Sequence, residues 1–111
     1  MVATIEILNG EVRHTITDDM YNNLYIRYNG EEVGIMAYNL YKDSLKILFI
    51  NIKEEYRRKG IAKRVIETII DLYGDRYIYG DAIPDAIKFW ESINVEFDEE
   101  IEDDELIPFH L

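Results

Sequence analysis

Arg57-Arg58-Lys59-Gly60, three consecutive cations and a glycine, is the stretch of this sequence best suited to chemistry. The apolar, β-branched run Leu45 to Ile52 ends just before it, and an amphipathic pattern, Ile61 to Tyr73, begins just after. Strand, cationic turn, glycine and helix start together predict an anion site. The first amides of a helix have no internal partner, and the helix dipole adds partial positive charge there. Gly60 permits conformations that a side chain forbids, so the turn can wrap its amides around a phosphate or pyrophosphate. The spacing is neither Gly-x-x-x-x-Gly-Lys-Ser/Thr nor Gly-x-Gly-x-x-Gly, so the two common nucleotide loops are excluded. An ordinary basic strand-to-helix turn with a solvated face is the plain alternative.

The elements that must hold this turn can be read in order. Thr4 to Leu8 and Glu11 to Ile16 are strand-like and joined by Asn9-Gly10; Leu24 to Tyr28 and Val33 to Tyr38 repeat the pattern around Asn29-Gly30. Asn-Gly between alternating runs is the strongest short hairpin signal. Thr17-Asp18-Asp19 suits a brief helical cap, and Asp43-Ser44 marks a turn before the strand Leu45 to Ile52. The N-terminal half, residues 1–44, thus reads as an antiparallel meander. In the second half, residues 45–111, the first helix gathers Ile61, Val65, Ile66, Ile69, Ile70 and Tyr73 on one broad face, and Gly74 stops it. Arg76 to Tyr79 is a short strand. A second helix follows with Pro84 in its first turn and Ile83, Ala86, Ile87 and Trp90 clustered. Val95 to Phe97 resumes as a strand. Eight of the ten residues from Glu96 to Glu105 are acidic, which suits an exposed turn. Leu106 to Leu111 is a last strand, with Pro108 placing it near an edge.

Arg57-Arg58-Lys59-Gly60-Ile61-Ala62 resembles the Arg/Gln-x-x-Gly-x-Gly/Ala signature of the GNAT family of N-acetyltransferases. Ala86-Ile87-Lys88-Phe89-Trp90-Glu91-Ser92-Ile93-Asn94-Val95 is similar to that family's closing motif, Ala-x-x-Phe/Leu-Tyr-Glu-Lys-Leu-Gly-Phe. The two matches stand in the family's order and cover about half the chain. The resemblance implies an α/β (α+β) fold of the acyl-CoA N-acyltransferase type, a mixed, mostly antiparallel sheet with two main helices. It implies acetyl-coenzyme A as cofactor, held by Arg57, Arg58, Lys59, Gly60, Ile61, Ala62 and Lys63. Backbone groups of Ile50, Asn51 and Ile52 would pair with the pantetheine arm. The implied reaction is direct transfer of acetyl to a primary amine of a small molecule or protein.

The departures from the family bear on catalysis. The two helices that usually follow the first strand and wall the acceptor site have no room between Gly10 and Leu24. The acceptor side is therefore open, or completed by a second subunit in a homodimer. Trp90 stands where many members have the tyrosine that protonates the departing thiolate, and an indole N–H is far too weak an acid for that. Ile83 replaces an asparagine, Asn94 a glycine and Val95 a phenylalanine. Asp81 is the best-placed carboxylate for a general base on the family's geometry. Tyr79 and Tyr73 are candidates for the missing acid, and Asn51 for facing the site. His14 and His110 show no ligand spacing, and no metal motif is present.

The 111 residues suit a single domain, 1–111. The absence of cysteine suits a reducing compartment, and no apolar run approaches the roughly 20 residues of a membrane span. A soluble, cytoplasmic protein is the expectation, and Met1 to Gly10 lacks the character of a signal peptide. The net charge of −11 argues against nucleic acid as a direct partner. Six of the twelve basic residues fall between Lys53 and Arg64, so that window carries +4 and the rest of the chain −15. The acidic remainder suits either solubility or the steering of a cationic acceptor such as a polyamine or a lysine side chain. Beside the acetyltransferase stands a second reading. A non-catalytic member of the same fold would bind proteins through its acidic face, with a DNA mimic as a variant.

Overall fold

Two Asn-Gly turns set the pairing of the N-terminal strands. The computed structural model describes residues 3–16, 21–98 and 106–111. In it β1 (Ala3–Leu8) and β2 (Glu11–Thr15) meet at Asn9 and Gly10, with φ of 52° and 82°. β3 (Tyr21–Tyr28) and β4 (Glu31–Leu40) meet at Asn29 and Gly30, with φ of 48° and 88°. Two consecutive left-handed residues are what a tight hairpin turn needs to match the twist of its strands. The expected cap at Thr17-Asp18-Asp19 and most of the acidic run toward Glu105 lie outside the described residues.

β5 (Ser44–Ile52), β6 (Tyr77–Ala82), β7 (Glu96–Phe97) and β8 (Ile107–His110) complete one eight-stranded sheet in the order β2-β1-β3-β4-β5-β6-β8-β7. The N-terminal half is not the plain antiparallel meander expected. β1 and β3 run parallel, because β2 pairs on the outer edge of β1 and the chain then returns on its other side. Alternation along a strand tells which face is buried, not which strand lies beside it. β2 also occupies the stretch in which the two family helices were missing from the sequence.

α1 (Ile61–Tyr73) is the crossover between the parallel strands β5 and β6. It buries Ile61, Val65, Ile66, Ile69 and Tyr73, whereas Ile70, expected on the same face, is 38% exposed. Each fully buried aliphatic side chain contributes about 1.5–3 kcal/mol through apolar burial. The second helix is shorter than expected, a 3-10 turn Pro84–Ala86 followed by α2 (Ile87–Ser92). Trp90 of α2 is buried against Phe109 of β8, with ring centroids 4.3 Å apart. Ile83 does not join that cluster and stays 54% exposed. Both helices therefore cover the same face of the sheet, together with Ile5, Leu24, Met36, Leu45 and Ile78.

Two further details position the site. β8 is not at the edge, as Pro108 alone suggests, but between β6 and β7. The two-residue β7 pairs only with Phe109 and His110. Pro108 therefore lies beyond the end of that ladder, where its carbonyl accepts the Asp98 N–H at 2.8 Å. Gly80 is required by close approach. A Cβ there would lie 2.8 Å from the Ile47 carbonyl oxygen and 2.9 Å from Phe109 Cζ. No described helix is long and apolar enough to cross a membrane.

Candidate active site

β5 and β6 run side by side from Ser44–Tyr77 to Ile47–Gly80 and then part. The divergence begins at a bulge. Opposite β4, Ile47 pairs with Tyr38 and Phe49 with Ala37, leaving Leu48 over. An extra residue bends and twists its strand, which turns the rest of β5 away from β6. The opening is a cleft of about 680 Å³, within the range of small-molecule sites. β5 lines it from Ile47 to Ile52, the end of β6 adds Asp81, and the segment beyond adds Ile83, Asp85, Phe89 and Trp90. Past Ile47, β5 has no ladder partner on its β6 side.

The cationic turn closes one end of this cleft. Glu54–Tyr56 form a single 3-10 turn, after which Arg58 and Gly60 both adopt left-handed backbone conformations, with φ of 69° and 74°. Gly60 is the residue before α1, and its carbonyl accepts the first helical bond from Arg64 N–H at 3.1 Å. No side chain caps this helix start, and its first turn holds no acidic residue. Its leading amides are thus left for an outside acceptor.

The turn is itself braced on two sides. Arg57 Nε–H donates to the Ile52 carbonyl at 2.8 Å, and Arg57 Nη2 to Asn51 Oδ1 at 3.4 Å. The Tyr56 hydroxyl donates to Glu31 at the β3–β4 hairpin, and its ring meets Tyr28 edge to face at 6.3 Å. The hydrogen bond to Glu31, with desolvation and the charges of Glu31 and Glu55, holds the Tyr56 phenol above its usual value of 10.0. Tyr56 is a phenol, not a phenolate, at neutral pH.

Of the expected cofactor residues, Ile50, Ile52, Arg57, Arg58, Gly60, Ile61, Ala62 and Lys63 line the cleft; Lys59 does not. Arg64 reaches away, donating to the Gly10 carbonyl at 2.8 Å. Among the catalytic candidates, Asp81 and Asn51 line the cleft, and Asp81 pairs with Lys46 at 3.6 Å. Tyr79 is not in the lining; it stacks on Tyr77 at 5.5 Å. Tyr73 sits at the far end of α1 against Tyr38 and beneath Arg76. Trp90, which the sequence motif aligns with the family's tyrosine, is in the cleft lining. Sequence reasoning misses Tyr56 and the bulge at Leu48. In the sequence, the Tyr before Arg57 reads only as a neighbour of the motif, and the bulge leaves no mark in an unbroken apolar run.

An uncapped helix start, a left-handed glycine and flanking cations fit a pyrophosphate, and the unpaired edge of β5 fits an amide-bearing arm. The profile of the acetyltransferase (GNAT) family matches residues 6–94. This chain belongs to the GNAT family. Solved structures agree on the fold. An acetyltransferase from Thermus thermophilus superposes with a TM-score of 0.62 at 16% identity, over 73% of this chain and 56% of its own. This GNAT chain therefore spans little more than half the length of that protein. Arabidopsis thaliana Naa50, solved with the bisubstrate analogue CoA-Ac-MVNAL, superposes with a TM-score of 0.64 at 22% identity, over 76% of this chain and 68% of its own. The anti-CRISPR protein AcrVA5 does so with 0.54 at 23% identity, over 68% of this chain and 88% of its own. No curated protein sequence matches the chain significantly.

Proposed function

We propose that this protein is an N-acetyltransferase that uses acetyl-coenzyme A and a primary amine. The observation that carries the reading is the junction of the left-handed turn at Gly60, the uncapped start of α1 and the cleft opened by the Leu48 bulge. Acetyl-coenzyme A supplies an activated acyl group, a thioester. The amides of Gly60 to Lys63, with Arg58 and Lys63, hold the pyrophosphate, and the free edge of β5 holds the arm. Arg57 works from behind, fixing the end of β5 to the turn through Ile52 and Asn51. In the overall reaction the neutral amine nitrogen bonds to the acyl carbon, the carbon–sulfur bond breaks with coenzyme A leaving as its thiolate, and the proton the nitrogen gives up ends on that thiolate to form the thiol. Positioning of the two reactants supplies several kcal/mol of the acceleration. The presence of Asp81 in the lining supports it as the group that takes that proton or passes it to water, with Lys46 as its ion-pair partner. The cysteine-free composition suits work in the cytoplasm.

Titration of the protein with acetyl-coenzyme A in a calorimeter, at low and moderate salt, tests this reading. Micromolar binding that weakens with salt is expected, followed by thiol release when an amine is added. Trp90 favours one rival, a member that binds the cofactor without turnover, because its indole replaces the expected acid. Binding without thiol release across a broad amine panel would support that rival.

A further inference from the structure

Ile52 and Ile61 are buried, but none of the eight residues between them, Lys53 to Gly60, is. Apolar packing therefore does not fix the shape of the cationic turn, although that shape is demanding. Arg58 and Gly60 are both left-handed, and Arg58 holds that conformation against its own Cβ. Polar contacts must do the holding. Arg57 supplies one set, to Ile52 and Asn51 behind the turn. Two more contacts bracket the cofactor residues Arg57 to Lys63. Tyr56, just before them, donates to Glu31 at the start of β4, and Arg64, just after them, donates to the Gly10 carbonyl at 2.8 Å.

The two hairpins reached in this way are themselves joined. Parallel pairing of β1 with β3 brings the Asn9-Gly10 and Asn29-Gly30 turns side by side. Asn9 N–H donates to Asn29 Oδ1 at 3.2 Å, and Asn29 N–H to the Ile7 carbonyl at 2.9 Å. Gly30 N–H donates at 3.1 Å to Glu6, which lies on the open face of the sheet, the one that no described helix covers. The contacts close a circuit. From Tyr56 it passes through Glu31 to Asn29, across to Asn9 and Gly10, and through Arg64 to Gly60, whose carbonyl accepts the Arg64 N–H at 3.1 Å. Its three side-chain links join residues 25, 20 and 54 positions apart, so it exists only when the N-terminal half is folded. Glu31, Asn29 and Arg64 are absent from the cleft lining, so the circuit acts on the cofactor through the turn.

We infer that the two Asn-Gly hairpins clamp the turn in its pyrophosphate-binding form, with Glu31 and Arg64 as positioning residues, a step that rests on the acetyl-coenzyme A reading above. Where the competent form is only partly populated, the apparent Kd rises in proportion. Calorimetric binding is the readout, so the test does not depend on turnover. Glu31→Ala should weaken acetyl-coenzyme A binding about three- to tenfold, the effect of losing one hydrogen bond. Charge alone predicts the opposite, since removing a carboxylate beside a cationic turn favours an anion. Glu31→Gln removes the same charge but keeps an oxygen to accept from Tyr56, so it should bind within about twofold of the parent. Asn29→Gly tolerates the positive φ while cutting the link between the hairpins, and should weaken binding about two- to fivefold. Arg64→Met should weaken it by a similar factor at low and high salt, because a lost attraction fades with screening and a lost support does not. S-acetylpantetheine has no pyrophosphate, so its affinity by NMR titration should be unchanged in every variant. Undiminished binding by Glu31→Ala, or an equal loss in Glu31→Gln, would overturn the inference. So would equal weakening of S-acetylpantetheine, the mark of a generally loosened fold. If circular dichroism shows Glu31→Ala unfolded, Asn29→Gly decides with the same two ligands. Failure of the parent to bind acetyl-coenzyme A would overturn the underlying reading instead.

Discussion

Substituting Gly60 by alanine and by glutamate separates the two properties the turn needs, its backbone conformation and its charge. Gly60 has φ 74° and ψ 14°, and a Cβ there would meet no atom within 4 Å. Gly60→Ala therefore adds no clash, only the left-handed strain of about 1 kcal/mol that any L side chain brings. In a domain of this size that lowers Tm by about 4 °C. Gly60→Glu carries the same strain and adds a carboxylate at the mouth of the cleft. At a separation of about 5 Å, the repulsion against each phosphate charge is about 1–3 kcal/mol for an effective dielectric between those of water and a protein surface. The glutamate variant should therefore bind acetyl-coenzyme A at least about tenfold more weakly than the alanine variant. The gap should narrow in high salt as screening takes hold. Thermal unfolding monitored by circular dichroism gives the strain, and calorimetric titration at two salt concentrations gives the affinity. If the glutamate variant is folded and binds like the alanine variant, the turn is not the pyrophosphate site.

The other predictions concern the supports of the cleft. Trp90→Phe should keep thiol release within a few-fold of the parent rate, because the indole is packing against Phe109 and not an acid; a loss of a hundredfold or more would show that the indole N–H takes part. Gly80→Ala should destabilise the fold by about 1–3 kcal/mol in urea unfolding, since its Cβ must displace the Ile47 carbonyl or the Phe109 ring. An unchanged midpoint would mean that β5 and β6 separate more easily than their contact implies. Tyr56 titrates higher in the folded state than its usual 10.0, so its contribution to stability is complete below pH 10 and is lost as pH rises through the folded value. Tyr56→Phe should therefore flatten the loss of stability above pH 10 in urea midpoints taken from pH 9 to 11, and an identical alkaline slope would remove Glu31 as its partner.

The parts of the fold legible in the sequence are those fixed by neighbours along the chain. Both Asn-Gly turns were legible because only a few residue types tolerate two successive positive φ angles. The bounds of α1 were legible because Gly60 and Gly74 flank an unbroken helical period. What the sequence concealed depends on distant contacts. The parallel pairing of β1 with β3 is one case, since Ile5 meets Ile26 whatever the direction of the strand beside it. Pro108 is another. Read alone it indicates an edge, but it lies inside the sheet because its neighbour β7 stops after two residues. The cationic turn was readable as a site, while the brace from Tyr56 to Glu31 spans 25 positions and left no local trace.

The open face carries a pattern whose meaning depends on knowing where the cleft lies. Along β1 and β3 the residues facing away from the helices include Thr4, Glu6, Asn23 and Arg27, a composition suited to water. Along β5 the same face presents Phe49, with Leu48 displaced beside it by the bulge, and both are left in solvent. Ordinary alternation would place polar residues there, and burial would not reward the change in an isolated chain. Departures from a local rule are expected where function demands them. Here the departure coincides with the lining of the cleft, at the point where β5 leaves β6. The same face also carries Tyr25 on β3 and Ile35 and Ala37 on β4, so its apolar side chains run across three strands and end at the cleft. The exchange of two helices for the single strand β2 and the exposure of Phe49 are then two sides of one design. On the proposed acetyl-transfer reading, the acceptor meets the cleft on a face with no described helix to wall it.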